Sequence, residues 1–379
     1  MKNIWLVSSL LVAASAGAQT APVEQPAVAA PAPQETKAAE PPAKPWYEKV
    51  KLEGTLDAYY GYRFQGGPSD KVNEQRIFDI SNNTFSLGYG KLALSMPAEP
   101  AGFRLDLGFG PVADLTSTDT TTDAKTGNPV ASEMLKHVQQ AYGTVKLFNT
   151  LSVDIGKFVT SAGAEVIEAK DNWLYSRSML FGKAIPYAHA GLRLSMPIGD
   201  LLTIQGGILN GWDSVLTSKS WKTFNLSANL NLASTGTSVF FNFYGGPDLT
   251  PDVKLLFDVV VNQNIGDKVA LNLNGDFGKE GAASWYGVSL MGKVMVTDAI
   301  RLAARVEYFG DPQGVRSNGG LAAASYVTAT IGAGFIFSGL ANVELRPELR
   351  HDQALSTTPY VNGTSASQTT LQLAAVAWF

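Results

Sequence analysis

The sequence predicts an all-β protein, a transmembrane antiparallel β-barrel of about sixteen strands. Three observations carry that expectation. After Trp46 apolar and polar residues alternate with period two, the mark of strands with one apolar face. About sixteen such segments, an even number of roughly ten residues each, can be counted, as an outer-membrane barrel requires. The gaps between them alternate short and long, which is how periplasmic turns and extracellular loops alternate in such barrels.

The chain opens "MKNIWLVSSLLVAASAGAQT": Lys2, an apolar run from Ile4 to Ala14, and the small residues Ala16-Gly17-Ala18 before Gln19. This reads as a secretory signal peptide over 1–18, too short and wrongly flanked for a membrane-spanning helix. From Gln19 to Pro45 Pro and Ala dominate and large apolar side chains are nearly missing. Such a stretch buries too little surface to offset its ordering entropy, and its prolines favour extended conformations. It is expected to be a linker at the periplasmic end, with the barrel proper spanning 46–379.

Net charge is −4, and loss of Lys2 with the signal makes the mature chain slightly more acidic, which argues against a nucleic-acid partner. There is no cysteine, so neither disulfides nor thiolate metal sites can form. With only three histidines, no metal and no cofactor are expected. Apart from the signal, no apolar run is long enough to span a bilayer as a helix, leaving a soluble secreted protein or a barrel.

The strands are expected at about 51–64, 84–96, 103–110, 136–147, 151–158, 187–196, 201–210, 221–232, 237–244, 253–262, 268–277, 284–296, 300–309, 325–337, 341–351 and 369–379. In the first, Lys51, Glu53, Thr55, Asp57, Tyr59 and Arg63 share one face, and Leu52, Leu56, Tyr60, Tyr62 and Phe64 the other. "TFNLSANLNL" sets Phe224, Leu226, Leu230 and Leu232 against Asn225, Ser227, Asn229 and Asn231. The second strand keeps its pattern only with a phase change between Leu87 and Leu92, as a bulge at Gly88 or Gly90 would provide. "PAEPAG", "NT", "PIGD", "ASTG", "NIGD" and "TDA" are the short gaps; every other gap is longer, and the alternation puts both termini in the periplasm.

A soluble β-sandwich would also alternate. Against it, the charged residues of the phased strands keep to the polar face, while Leu, Val, Phe and Tyr form a face fit for lipid. The chain also ends "LQLAAVAWF", with Leu371, Leu373, Ala375, Ala377 and Phe379 on one face. That ending resembles the C-terminal signal by which bacterial outer-membrane barrels are handed to their assembly machinery.

At "LDAYYGY", "NNTFSL", "QQAYGTV", "DIGKFVTSAGAEV", "NWLYSRS" and "PYAHAGLRL" the chain resembles the OmpL-like family of bacterial outer-membrane β-barrel porins. The match runs from about Leu56 to Leu194; beyond it the agreement is one of strand pattern. Members often carry a bulky residue before the Glu that corresponds to Glu165, where this chain has Ala164. That departure bears on the local packing of the loop. The resemblance implies a diffusion channel in the Gram-negative outer membrane.

A sixteen-stranded barrel leaves an aqueous lumen, so its selectivity must come from whatever narrows it. The gap from Val159 to Pro186 follows the fifth strand, the position from which general porins fold a loop inward. Within it "NWLYSRSMLFG" is too apolar for a solvated loop, yet carries Arg177 among Trp173, Tyr175 and Phe181. On this reading Glu165, Glu168 and Asp171 present carboxylates to the pore, the three aromatics anchor the loop, and Arg177 pairs with one of the carboxylates or with the wall.

Strand parity turns Arg63, Lys146, Arg193, Arg305, Arg346 and Arg350 toward the lumen, with Arg104 and Arg301 nearer the strand ends. Carboxylates facing a basic wall would set up a transverse field acting on small polar solutes. Glu307, Glu344 and Glu348 dilute that wall, so the pattern does not predict which ions, if any, the channel would select. Tyr59, Tyr142, Phe240 and Tyr244 lie on separated strands and give an aromatic sugar track little support.

The expected function is therefore a porin, a passive diffusion channel for small polar solutes or ions, homotrimeric by analogy and in contact with outer-membrane lipid. Two other classes remain open: an adhesin or structural barrel, and a barrel lipid hydrolase. Loops such as "TSTDTTTDAKTGNP" carry nothing that marks a receptor. A hydrolase needs a nucleophile with a base beside it, and His189, turned inward by parity with Arg193 and Ser195 on the same strand, has no paired Ser or acid beside it at a repeating motif.

Overall fold

A computed structural model describes residues 45–66, 70–117, 135–148, 150–215, 221–247, 252–317, 319–320, 322–357 and 359–379. The expected signal peptide, the expected linker up to residue 44 and most of the Thr-rich stretch after Thr116 lie outside the described residues.

Sixteen strands follow in order. They are β1 (Lys51–Arg63), β2 (Thr84–Met96), β3 (Ala101–Phe109), β4 (Val138–Leu147), β5 (Leu151–Val159), β6 (Ala188–Ile198), β7 (Leu202–Leu209) and β8 (Thr223–Leu232). Then come β9 (Thr237–Pro247), β10 (Val253–Ile265), β11 (Val269–Glu280), β12 (Ala283–Thr297), β13 (Ile300–Asp311), β14 (Ala324–Phe337), β15 (Asn342–Ala354) and β16 (Ser367–Trp378). Each pairs antiparallel with its neighbours in sequence, and β1 closes on β16 from Thr55↔Trp378 to Arg63↔Thr370. Closure leaves no strand with an unpaired edge, as a wall facing hydrocarbon requires.

Alternation sorts side chains as the sequence pattern requires. Leu56, Leu226, Val306, Ile331 and Leu373 are exposed on the outer face, while Asp57, Asn225, Arg305, Thr330 and Gln372 are buried inside. The phase change in β2 is a bulge at Gly88: Asp57 pairs with Tyr89 and Ala58 with Leu87. One gap differs from the expected lengths, because β11 and β12 meet through Gly281-Ala282 alone. Lys279 and Glu280 continue the ladder against Ser284 and Ala283, and Gly281 takes the left-handed backbone (φ 57°) that lets the chain reverse tightly.

The seam between β1 and β16 rests on a close approach. Gly54 and Phe379 exchange backbone hydrogen bonds of 3.3 and 3.1 Å, and a Cβ on Gly54 would lie 2.3 Å from the Phe379 ring. Only a residue without a side chain leaves room there for the C-terminal aromatic.

The principal apolar core lies inside the barrel. Met179, Leu180 and Phe181, from the segment joining β5 to β6, pack with Phe78 from the segment joining β1 to β2 and with inward-facing wall residues, including Tyr244, Leu256, Trp285 and Phe309.

Candidate functional site: the segment between the fifth and sixth strands

Residues 160–187 bind to inward-facing side chains around the circumference of the barrel. At the start, Ser161 N–H donates to the Tyr244 hydroxyl on β9 at 3.2 Å, and the two hydroxyls are 2.8 Å apart. Glu165 accepts from Arg305 of β13 at 2.7 Å through one oxygen and from Ser178 N–H at 2.7 Å through the other. Glu168 pairs with Lys91 of β2. Burial alone would raise its carboxyl, but the charge and hydrogen bond of Lys91 outweigh burial and hold it at about 2.

The stretch quoted above then runs along the wall formed by β1, β13 and β15. The Tyr175 hydroxyl donates to Asp57 at 2.7 Å, and its ring lies 5.4 Å from that of Tyr59. Glu348 of β15 accepts the backbone N–H groups of Tyr175 and Ser176 at 2.8 and 3.2 Å, and Glu307 of β13 accepts that of Met179 at 2.7 Å. Arg346 and Arg350 donate to the carbonyls of Ala169 and Arg177 at 2.5 and 2.6 Å. Wall carboxylates hold loop N–H groups and wall arginines hold loop carbonyls. An irregular segment buried away from water needs such partners for its backbone.

After Ser178 one π-helical turn, Leu180–Ala184, buries its whole length, and Trp285 of β12 donates its indole N–H to the Ala184 carbonyl at 3.0 Å. Phe181 packs against Phe78 and Tyr187, with ring centroids 5.5 and 5.7 Å away. Burial, and then the nearby Arg316 charge, lower the Lys183 ammonium to about 8.

The residues singled out in the sequence are distributed as follows. Glu165 and Glu168 are each consumed in an ion pair with the wall. Asp171 is exposed and pairs with Lys170 at 2.7 Å. Arg177 differs from expectation. Its guanidinium donates to the carbonyls of Val166, Ile167 and Tyr175 and lies 5.0 Å over the Phe78 ring, meeting no carboxylate. The loop folds around Arg177, which therefore satisfies loop carbonyls that have no ladder partner. Trp173 is half-buried with Lys293 5.0 Å over its ring.

On the wall, Arg63 pairs with Asp70 at 2.9 Å and with Glu74. Arg193 pairs with Asp154 at 2.8 Å, Arg346 with Glu344 at 2.6 Å and Arg350 with Asp352 at 2.6 Å. Lys146 is half-buried, one residue from the end of β4. The carboxylates and cations thus meet in contact pairs, in place of two separated charged surfaces with a field between them.

Sequence reasoning missed Arg76, in the segment between β1 and β2. Its buried guanidinium donates to Asp79 at 2.6 Å, Asp352 at 3.0 Å and Thr370 at 2.7 Å. That segment follows no period, so nothing in the sequence marked the side chain as inward. His189 is buried and stacked on Tyr244 at 4.9 Å, with Nδ1 3.0 Å from the Gly211 carbonyl.

A family model described as "Putative beta-barrel porin-2, OmpL-like" matches residues 49–379. The chain belongs to this family. It is an outer-membrane β-barrel of the porin type. Solved structures agree in fold. The outer-membrane channel DcaP of Acinetobacter baumannii superposes with a TM-score of 0.57 at 11% identity, covering 87% of this chain and 97% of that one. OmpF of Salmonella typhi, in complex with daunomycin, gives 0.57 at 12% identity, with 87% and 97% covered. The trimer form of OmpT from Vibrio cholerae gives 0.56 at 13% identity, with 87% and 99% covered. No curated protein matches the sequence.

Proposed function

We propose that the protein is a passive diffusion channel for small polar solutes or ions, and that residues 159–186 are the loop that narrows its lumen. The observation that carries this reading is the Glu165–Arg305 pair, which ties the loop to a strand on the inner wall at 2.7 Å. A loop held by side chains of β1, β2, β9, β12, β13 and β15 acts as a fixed element of the pore, because releasing it would leave buried charges without partners.

On the same reading both termini face the periplasm, where the short turns lie, and the Pro/Ala-rich segment is a linker there. Phe379 is the assembly signal. The barrel forms a homotrimer, which the trimer form of its structural neighbour supports. The channel reading is favoured over a lipid hydrolase because His189 Nδ1 meets the Gly211 backbone carbonyl at 3.0 Å and the ring stacks on Tyr244.

The test is planar-bilayer recording of the purified mature protein. A channel gives discrete, stable conductance steps, and the trimer gives them in groups of three. A heat-modifiable, correctly folded barrel without steps would leave the adhesin or structural class standing instead.

A further inference from the structure

We infer that the space left beside the loop admits small neutral hydroxylated solutes, with the chemistry of a sugar, in preference to ions. This rests on the channel reading above and adds the class of solute to it.

The loop covers one side of the lumen. Inward-facing Glu344, Arg346, Ala374 and Val376 of β15 and β16, and Asp57 and Lys91 of β1 and β2, are all buried. On the other side the inward face stays partly open: Thr203 and Gln205 of β7, Asn229 of β8, Ser238 of β9 and Asn262 of β10 all keep accessible surface. On β7 to β10 the inward polar side chains that stay accessible are amide and hydroxyl, while the charged Lys254 and Asp258 of β10 are buried.

That chemistry decides between solutes. Amides and hydroxyls each both donate and accept, so they can replace the water around a sugar hydroxyl in either sense. They offer an ion no opposite charge in return for shedding its hydration. Tyr142 and Phe240, also turned inward, are half-buried and add apolar ring surface to the same wall.

Charges near this space are engaged, Lys293 of β12 by the Trp173 ring 5.0 Å away and others in ion pairs. Arg193 is held by Asp154 at 2.8 Å, Arg104 by Asp106 at 2.8 Å, and Lys170 by Asp171 at 2.7 Å. A contact pair acts as a short dipole whose field falls off faster than that of a single charge. Lys146, next to the end of β4, stands where a strand leaves the barrel and not at mid-depth.

The experiment uses the full mature chain. It is placed in phosphatidylcholine liposomes for swelling in iso-osmotic arabinose, and in a planar bilayer for reversal potentials in asymmetric KCl at low ionic strength, where screening is weakest. The inference expects rapid arabinose swelling and a reversal potential near zero. Asn229→Asp with Asn262→Asp should slow swelling several-fold and shift reversal toward cations, and Thr203→Lys with Gln205→Lys should shift it toward anions. Heat-modifiable migration shows that the variants have folded. A strongly ion-selective wild-type channel, or folded variants indistinguishable from wild type, overturns the inference while leaving the channel reading in place. A barrel that gives neither swelling nor steps overturns both.

Discussion

Glu165 Oε1 accepts a hydrogen bond from Arg305 Nη1 at 2.7 Å, and both side chains are almost wholly buried. The two residues are 140 positions apart, one in the segment after β5 and the other on β13. Arg305 also donates to the Ser176 carbonyl at 2.8 Å, so one guanidinium holds two points of the loop.

Removing one partner of such a pair leaves the other charge buried without compensation, at a cost of about 3–5 kcal/mol. The sixteen-strand ladder does not depend on the pair, so the cost should fall on the loop. Arg305→Met is expected to give a noisy channel whose loop is open to protease, with strand content unchanged. Glu165→Gln combined with Arg305→Met should be quieter than Arg305→Met alone. Single-channel noise and limited proteolysis of the three proteins measure this, and a quiet, resistant Arg305→Met barrel would refute it.

Glu348 and Glu307 act on backbone groups. Hydrogen bonds to charged acceptors contribute about 1.5–3 kcal/mol each. Replacing both carboxylates by Ala should therefore speed hydrogen exchange at the amides of Tyr175, Ser176 and Met179 and leave the strand amides protected. Unchanged exchange at those three positions would mean that packing alone holds the loop.

Lys183 gives a pH window. Burial lowers its folded-state value to about 8, against the ordinary 10.5 of an exposed lysine. Between those values the unfolded chain binds more protons than the folded one, so stability rises with pH across the window. Below about 8 the burial penalty is present in full, and above 10.5 it is gone. The SDS unfolding midpoint should rise from pH 8 to 10.5 in the wild type. In Lys183→Met this contribution should vanish; an equal slope in both proteins would count against it.

At the barrel seam, Gly54→Val would drive a side chain into the Phe379 ring, and Phe379→Asp would remove the aromatic. Both variants should be exported and then accumulate in the periplasm without becoming heat-modifiable. Fractionation reads the outcome, and normal outer-membrane levels of both would separate the terminal contact from assembly.

The barrel was legible because lipid on one side and a polar interior on the other impose period two on every strand. Even the β2 bulge left a trace, as the shift of outward positions from Phe85 and Leu87 to Leu92 and Leu94. The Gly281-Ala282 hairpin was not legible, since polar residues at a strand's outer end, such as Lys279 and Glu280, resemble a loop. Composition marked the segment after β5 as unusual. Its contacts could not be read, because they join residues far apart, 118 positions for Asp57–Tyr175 and 173 for Tyr175–Glu348. Arg177 shows the same limit, since a guanidinium can be satisfied by carbonyls as well as by carboxylates, and only the folded loop decides.

The central claim is that this segment narrows the lumen, and the most direct measurement is the single-channel conductance of a barrel lacking Glu165 to Phe181. With the sixteen strands still paired around it, the lumen should widen, and each conductance step should be larger than in the wild type under the same salt. Steps of unchanged size in a folded, heat-modifiable deletion variant would contradict the account.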